Sequence, residues 1–194
     1  MRALITGANG HIGSHVVRAC AAEGHTPVAF VRPGADLRAL AGVEAARREG
    51  HLLDAESLKR ACDGAEVVFH VASPHRNFAV DPASILGPAV EGTRNVLAAA
   101  RAAGARRVVV TSSGATVGFS DNPAKPLTES SSLKSAHSVY IRAKIEAEAV
   151  ALAAAGEGGL EVVVVNPSGV FGPRDYRLTP ATKALIGLLQ GDPA

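Results

Sequence analysis

Along the chain, short runs dominated by Val, Ile, Leu and Ala alternate with longer alanine-rich stretches in which apolar positions recur at helical spacing. Continuous apolar runs of strand length suit strands covered on both faces, and the helical stretches suit helices lying over them. Strands are predicted over 2–6, 28–31, 44–48, 66–71, 107–111 and 161–166, and helices over 12–23, 36–40, 55–62, 83–103, 138–154 and 180–189. Strand and helix alternate throughout, which argues for βαβ units and an α/β, doubly wound parallel sheet. Asp54 reads as an N-cap, because its carboxylate can take free amide hydrogens of the turn that follows. Residues 112–135, rich in Ser, Pro and Gly, lack periodicity, and a loop of that length in a compact domain is usually functional.

Composition narrows the class without changing it. The 194 residues are 47% apolar and 20% charged, values of an ordinary globular chain. Lys and Arg number 20 against 18 acids and are scattered, so no basic face for nucleic acid is expected. Cys20 and Cys62 fall in helical stretches without metal or redox spacing, and buried packing in a reducing compartment is the simplest role. The chain runs from Met1 directly into a strand, and no apolar stretch approaches the length of a membrane span. The expectation is a cytoplasmic protein that avoids membranes.

Chemistry enters at the turn after the first strand, Thr6-Gly7-Ala8-Asn9-Gly10-His11-Ile12-Gly13-Ser14-His15. Gly7 permits the tight turn, Gly10 lets the backbone approach a pyrophosphate, and Gly13 lets the helix pack closely on the sheet. The helix N-terminus then offers free amides and a partial positive charge to an anion. Strand, glycine turn and helix in this order point to a dinucleotide, with Gly7, Asn9, Gly10, His11, Ile12 and Gly13 as its contacts. The second strand ends in Phe30-Val31-Arg32-Pro33, where an NAD site would place an acid for the adenosine ribose. Arg32 instead suits a 2′-phosphate, so NADP is the expected cofactor and NAD the alternative.

Tyr140-Ile141-Arg142-Ala143-Lys144 places a phenol and an ammonium four residues apart, on one helix face. A free phenol is a poor acid-base group at neutral pH, and a neighbouring cation favours its ionised form. Tyr140 can then give a proton to a substrate carbonyl. The fifth strand ends in Thr111-Ser112-Ser113, and either serine at that carboxyl edge could orient the substrate oxygen.

Taken together, TGANGHIGSH from Thr6, VFHVASP from Val68, GPAVEGTRNVL from Gly87, VVVTSSGATVG from Val108, YIRAK from Tyr140 and NPSGVFGP from Asn166 are specific. On them the chain resembles the extended short-chain dehydrogenase/reductases, and within these the dihydroflavonol reductase-like branch, over essentially its whole length. The resemblance implies a Rossmann-type fold and a catalytic set of Ser113, Tyr140 and Lys144. It also implies that Lys144 holds the nicotinamide ribose, that Pro167 lies near the nicotinamide and that Ala72 lines the cofactor trough. Where the family commonly places an acid for the adenine, this chain has Gly50-His51-Leu52, so His51 and Leu52 would have to serve. Relatives continue well beyond this length. The expected organisation is therefore a dinucleotide-binding domain over 1–170 and, over 171–194, the start of a substrate-binding lobe that is largely missing.

The resulting expectation is an NADP-dependent reductase of a carbonyl on a small organic substrate. A nucleotide-sugar epimerase or dehydratase with tightly held NAD(P) is the rival, and a non-catalytic dinucleotide sensor a weaker one, since sensors tend to lose the Tyr-Lys pair. Homodimer formation is open. No metal is expected: His11 and His15 share a helix face without a third ligand, and His70 and His75 flank a strand end without partners. His70 is read as a core histidine satisfied by backbone, and Glu146 and Glu148 as surface charge pairs. Apolar residues near Phe171 and over 185–189 would lie uncovered.

Overall fold

The computed structural model describes residues 1–74, 81–131, 133, 136 and 138–191. Six parallel strands, β1 (Arg2–Thr6), β2 (Thr26–Val31), β3 (Ala46–Glu49), β4 (Val67–His70), β5 (Arg107–Thr111) and β6 (Glu161–Val165), form one sheet in the order β3-β2-β1-β4-β5-β6. Helices α1 (His11–Ala22), α2 (Ala55–Cys62), α3 (Ala83–Ala102), α4 (Val139–Ala153) and α5 (Pro180–Gln190) connect or follow them. The chain order reverses between β1 and β4, which pair from Ala3 and Val67 to Thr6 and His70. In open sheets of this kind the crevice at such a reversal, beyond the carboxyl ends of the strands, is where ligands bind.

Two apolar clusters explain why the sheet is central. Leu4, Val28, Val68, Val108 and Val110 face Leu58, Cys62, Val96, Leu97 and Ala151 of α2, α3 and α4. Ala3, Ile5, Ala29 and Val31 point the other way, against Val17 and Cys20 of α1. Both cysteines are buried free thiols, and burial pushes the Cys62 thiol up to about 12. Asp54 caps α2 by accepting the Ser57 amide hydrogen at 3.1 Å. No helix among the described residues is long and apolar enough to cross a membrane.

Several elements depart from the sequence expectation: β2 begins at Thr26 rather than 28, and a 3-10 turn at Glu157–Gly159 was not expected. β3 lies at Ala46–Glu49 rather than 44–48, and all four of its residues are exposed at the sheet edge, where no buried face marks the strand's limits. The helix expected over 36–40 is only a 3-10 turn, Arg38–Leu40: the Asp36 carboxylate takes the Arg38 amide at 3.0 Å and the guanidinium as well, a local bond that competes with helix. The long loop after β5 contains an unforeseen 3-10 turn at Gly114–Thr116.

The last helix differs from the rest. None of the α5 side chains is buried, and Leu188 and Leu189 are 60% and 79% exposed. Polar contacts anchor its start: the buried Asp175 carboxylate accepts the Thr179 amide at 2.7 Å, its hydroxyl at 2.7 Å and the Thr182 hydroxyl at 2.6 Å. The preceding segment reaches back to α1, where the His15 ring donates to the Pro173 carbonyl at 2.9 Å.

Candidate active site

The glycine turn follows β1 at the reversal point. Gly7 adopts a left-handed φ of 65°, and a Cβ there would lie 2.8 Å from the Ala72 backbone. At Gly13 a Cβ would stand 2.1 Å from the Gly7 carbonyl oxygen, so the helix can approach the turn only without a side chain. Gly10 precedes α1 with no side-chain cap and no acid in the first turn, leaving the opening amides free for an anion. His11 and Ile12 are the first residues of α1. Asn9 secures the turn from the side, its amide donating to the Asp36 carbonyl at 3.0 Å. These features fit a dinucleotide pyrophosphate. Arg32 is exposed one residue beyond β2, on the same edge.

Beneath the turn lies a directional chain of hydrogen bonds. The Ala72 amide donates to the Thr6 hydroxyl at 3.2 Å, and Thr6 meets His70 Nδ1 at 2.9 Å. His70 Nε2 meets the Thr93 hydroxyl at 3.1 Å, and Thr93 gives its one proton to the Ala89 carbonyl at 2.7 Å. With that proton committed, Thr93 must accept from Nε2–H, which leaves Nδ1 to accept from Thr6. Neutral His70 is thus satisfied by two hydroxyls, a correction to the expectation of backbone partners. Burial, and then the Lys144 charge, push its pKa down to about 3.

At the carboxyl end of β5, the Ser113 side chain lies close enough to the Tyr140 phenol to favour its ionised form, and Ser113 also accepts the Ala115 amide at 3.2 Å. Lys144 is buried one turn along α4, its ammonium 6.0 Å from the Tyr140 ring centre and donating to the Thr111 carbonyl at 3.0 Å. Burial pushes the Tyr140 phenol upward and Ser113 offsets part of that. Burial likewise lowers Lys144, Glu148 opposes it, and the balance is about 8. The two serines therefore differ: Ser113 meets the phenol, whereas the buried Ser112 hydroxyl donates to Glu148.

Glu148 is the residue the sequence reading missed. Glu146 does pair with Arg142 at the surface, at 2.7 Å, but Glu148 turns inward and takes the Thr116 hydroxyl at 2.8 Å and the Asn166 amide at 3.0 Å besides Ser112. The available signal was its position four residues beyond Lys144 on the same stripe. A small cavity lined by His70, Thr93, Thr111, Ser112, Lys144 and Glu148 joins these groups to the histidine chain.

The remaining candidates sit around this edge. Ala72 touches the glycine turn, and the Pro167 carbonyl accepts the Gly114 amide at 2.8 Å. The Leu52 carbonyl accepts the Asn95 amide at 3.0 Å, while His51 is exposed beyond β3. His11 and His15 stack edge-on at 5.5 Å, and no group of three His, Cys, Asp or Glu side chains able to hold a metal occurs among the described residues. His75 lies outside the described residues.

A model of the NAD dependent epimerase/dehydratase family matches residues 3–190. Among curated proteins, the chain is 35% identical to sterol demethylase protein B of Methylococcus capsulatus over 191 residues, covering 98% of this chain and 58% of that protein. It is 39% identical to cinnamoyl-CoA reductase 1 of Oryza sativa subsp. japonica over 183 residues, covering 87% and 53%. Among solved structures, dTDP-glucose 4,6-dehydratase (DesIV) of Streptomyces venezuelae with NAD and TYD bound superposes with a TM-score of 0.85 at 28% identity, covering 98% of this chain and 63% of that one. The chain thus spans little more than half the length of these curated relatives. A dinucleotide-type turn at the sheet reversal, a Ser-Tyr-Lys edge at β5 and a family match across nearly every residue lead to one assignment: the chain belongs to the NAD-dependent epimerase/dehydratase family of extended short-chain dehydrogenase/reductases.

Proposed function

We propose that this chain is the dinucleotide-binding part of an NADP-dependent reductase acting on a carbonyl of a small organic substrate. The observation that carries the reading is the meeting of Ser113, Tyr140 and Lys144 at the carboxyl end of β5, beside the glycine turn. A nicotinamide cofactor supplies the hydride chemistry when bound. The amides opening α1 take its pyrophosphate, and Arg32 offers a planar donor fork to a 2′-phosphate. Lys144 holds the nicotinamide ribose, with Ala72 and Pro167 lining the trough. Ser113 orients the substrate oxygen by hydrogen bonding. Tyr140 then transfers its phenolic proton to that oxygen. Burial holds the phenol above its ordinary value, against the expectation that the Lys144 charge would draw it down, so the proton is lost only as negative charge develops on the substrate oxygen.

Similarity to a cinnamoyl-CoA reductase supports reduction as the net reaction. Likeness to a dehydratase solved with NAD supports a second reading, in which the cofactor is reduced and reoxidised within one cycle. Net consumption of NADPH separates the two. The test is NADPH oxidation over a panel of aldehydes and ketones, with fluorescence titration of NADPH and NADH. Tyr140→Phe is expected to lower turnover by about 100-fold or more while leaving NADPH affinity unchanged. Unaltered turnover in Tyr140→Phe removes its acid role, and equal affinities for NADPH and NADH remove the NADP preference.

A further inference from the structure

Tyr140, Lys144 and Glu148 follow one another at intervals of four along α4, so they form a single stripe on the helix. The stripe faces the carboxyl ends of β5 and β6. One Glu148 oxygen collects Ser112 at the end of β5, Thr116 in the 3-10 turn that follows, and Asn166 just after β6. The Asn166 amide also meets the Thr116 hydroxyl at 2.9 Å and the Ser113 carbonyl at 3.2 Å, so the turn is held from two sides. An ordinary helix-face glutamate behaves as Glu146 does, in an exposed pair with Arg142.

We propose that Glu148 is a positioning residue for the Tyr140 and Lys144 pair: its carboxylate clamps the 112–116 turn beneath the phenol and is the anion that answers the Lys144 ammonium. The inference rests on the reading of that pair as the acid-base machinery. The Ser112 hydroxyl and the Asn166 amide converge on one oxygen, joined by the Thr116 hydroxyl, whose single proton is divided between that oxygen and the Ser113 carbonyl at 2.8 Å. Such convergence calls for a carboxylate, since ionised acceptors make stronger bonds than neutral ones and an amide brings donors of its own. Around Lys144, α4 presents Tyr140 and Glu148, β4 presents His70, β5 presents the Thr111 carbonyl and α3 presents the Thr93 hydroxyl. His70 is neutral, and so is the phenol at ordinary pH. Among these groups the negative charge opposite Lys144 therefore comes from Glu148. Burial works to discharge the ammonium, and Glu148 opposes it.

The test needs no substrate. Side-chain carbon NMR of the 194-residue chain, with the Lys144 signal assigned through Lys144→Arg, gives the protonation midpoint of Lys144 directly. Glu148→Gln, which keeps the shape and removes the charge, is expected to lower that midpoint by about one pH unit. Glu148→Asp keeps the charge and should recover part of the shift. A purely structural glutamate would lower the unfolding temperature and leave the midpoint where it was. An unmoved midpoint in folded Glu148→Gln overturns the proposal. Should Glu148→Gln fail to fold, Glu148→Asp decides: its withdrawn carboxylate moves the midpoint down by a smaller amount, and no movement is again fatal. Failure of the chain to reduce any carbonyl would count against the proposed function alone, because the Lys144 midpoint is read without turnover.

Discussion

Around Gly7, Gly10 and Gly13 the chain makes room at the sheet edge by omitting side chains, whereas around Ser112, Glu148 and Asn166 it fills the same edge with polar groups that satisfy one another. The first solution is steric. An added carbon at Gly13 meets backbone atoms at 2.1 Å and 2.8 Å, which cannot rotate aside. The second is a network in which donors are shared among several acceptors, and its members come from the ends of β5 and β6 and from α4. The contrast separates two kinds of fragility. One extra atom on the glycine side should be ruinous, while one missing atom on the polar side should cost only the desolvation of the group left behind.

The largest effect is expected for Gly13→Ala. Overpacking against the Gly7 carbonyl should destabilise the chain by about 3 kcal/mol and abolish NADPH binding, seen as a lower urea midpoint and a flat fluorescence titration. A tolerated alanine with intact binding would break the contrast. Next comes Thr93→Val, almost the same shape but without an acceptor for His70 Nε2–H. It should cost about 1–3 kcal/mol by urea unfolding, the penalty of an orphaned buried donor. A larger loss than that of Gly13→Ala would invert the ranking.

The smallest effect concerns pH. His70 has a folded pKa of about 3, below the value of about 6.5 for an unfolded histidine. Between those limits the unfolded chain binds more protons, so stability falls as pH falls through that window and is unaffected above it. From about pH 7.5 to 5.5 the His70 contribution should be a loss of about 1 kcal/mol, read as the difference in pH slope between the parent and His70→Gln. Identical slopes would mean that His70 already carries a proton in the folded chain.

The glycine side was legible because a missing side chain is visible in a one-dimensional sequence, and its strand and helix flank it within a dozen residues. The central strands were legible for a similar reason, since β-branched runs such as Val108, Val109 and Val110 are contiguous, whereas the exposed edge strand β3, Ala46-Arg47-Arg48-Glu49, has no such run and its limits slipped. The polar side was not, because Ser112, Glu148 and Asn166 are joined only by the fold, and a glutamate near a lysine and an arginine looks like any exposed helix charge. His70 shows the same limit, since its partners Thr6 and Thr93 lie 64 and 23 residues away. The helix expected over 36–40 failed through a short-range competitor, the Asp36 side chain capturing the Arg38 amide.

The strand order has a consequence for the order in which the molecule is made. β1 is synthesised first yet stands at the centre, and its partner β4 begins 64 residues after their shared register at Ala3 and Val67. At ribosomal rates of about 5–20 residues per second, that edge of β1 waits roughly 3–13 s for its neighbour, with only the β2 side available for earlier pairing. β6 then closes the far edge another 54 residues after its β5 partner, Arg107 pairing with Glu161. Throughout that interval the nascent chain carries an open, apolar strand edge, the feature that most readily recruits a second chain. The same arrangement that places the ligand crevice at the middle of the sheet therefore leaves the middle of the sheet half built for longer than any other part.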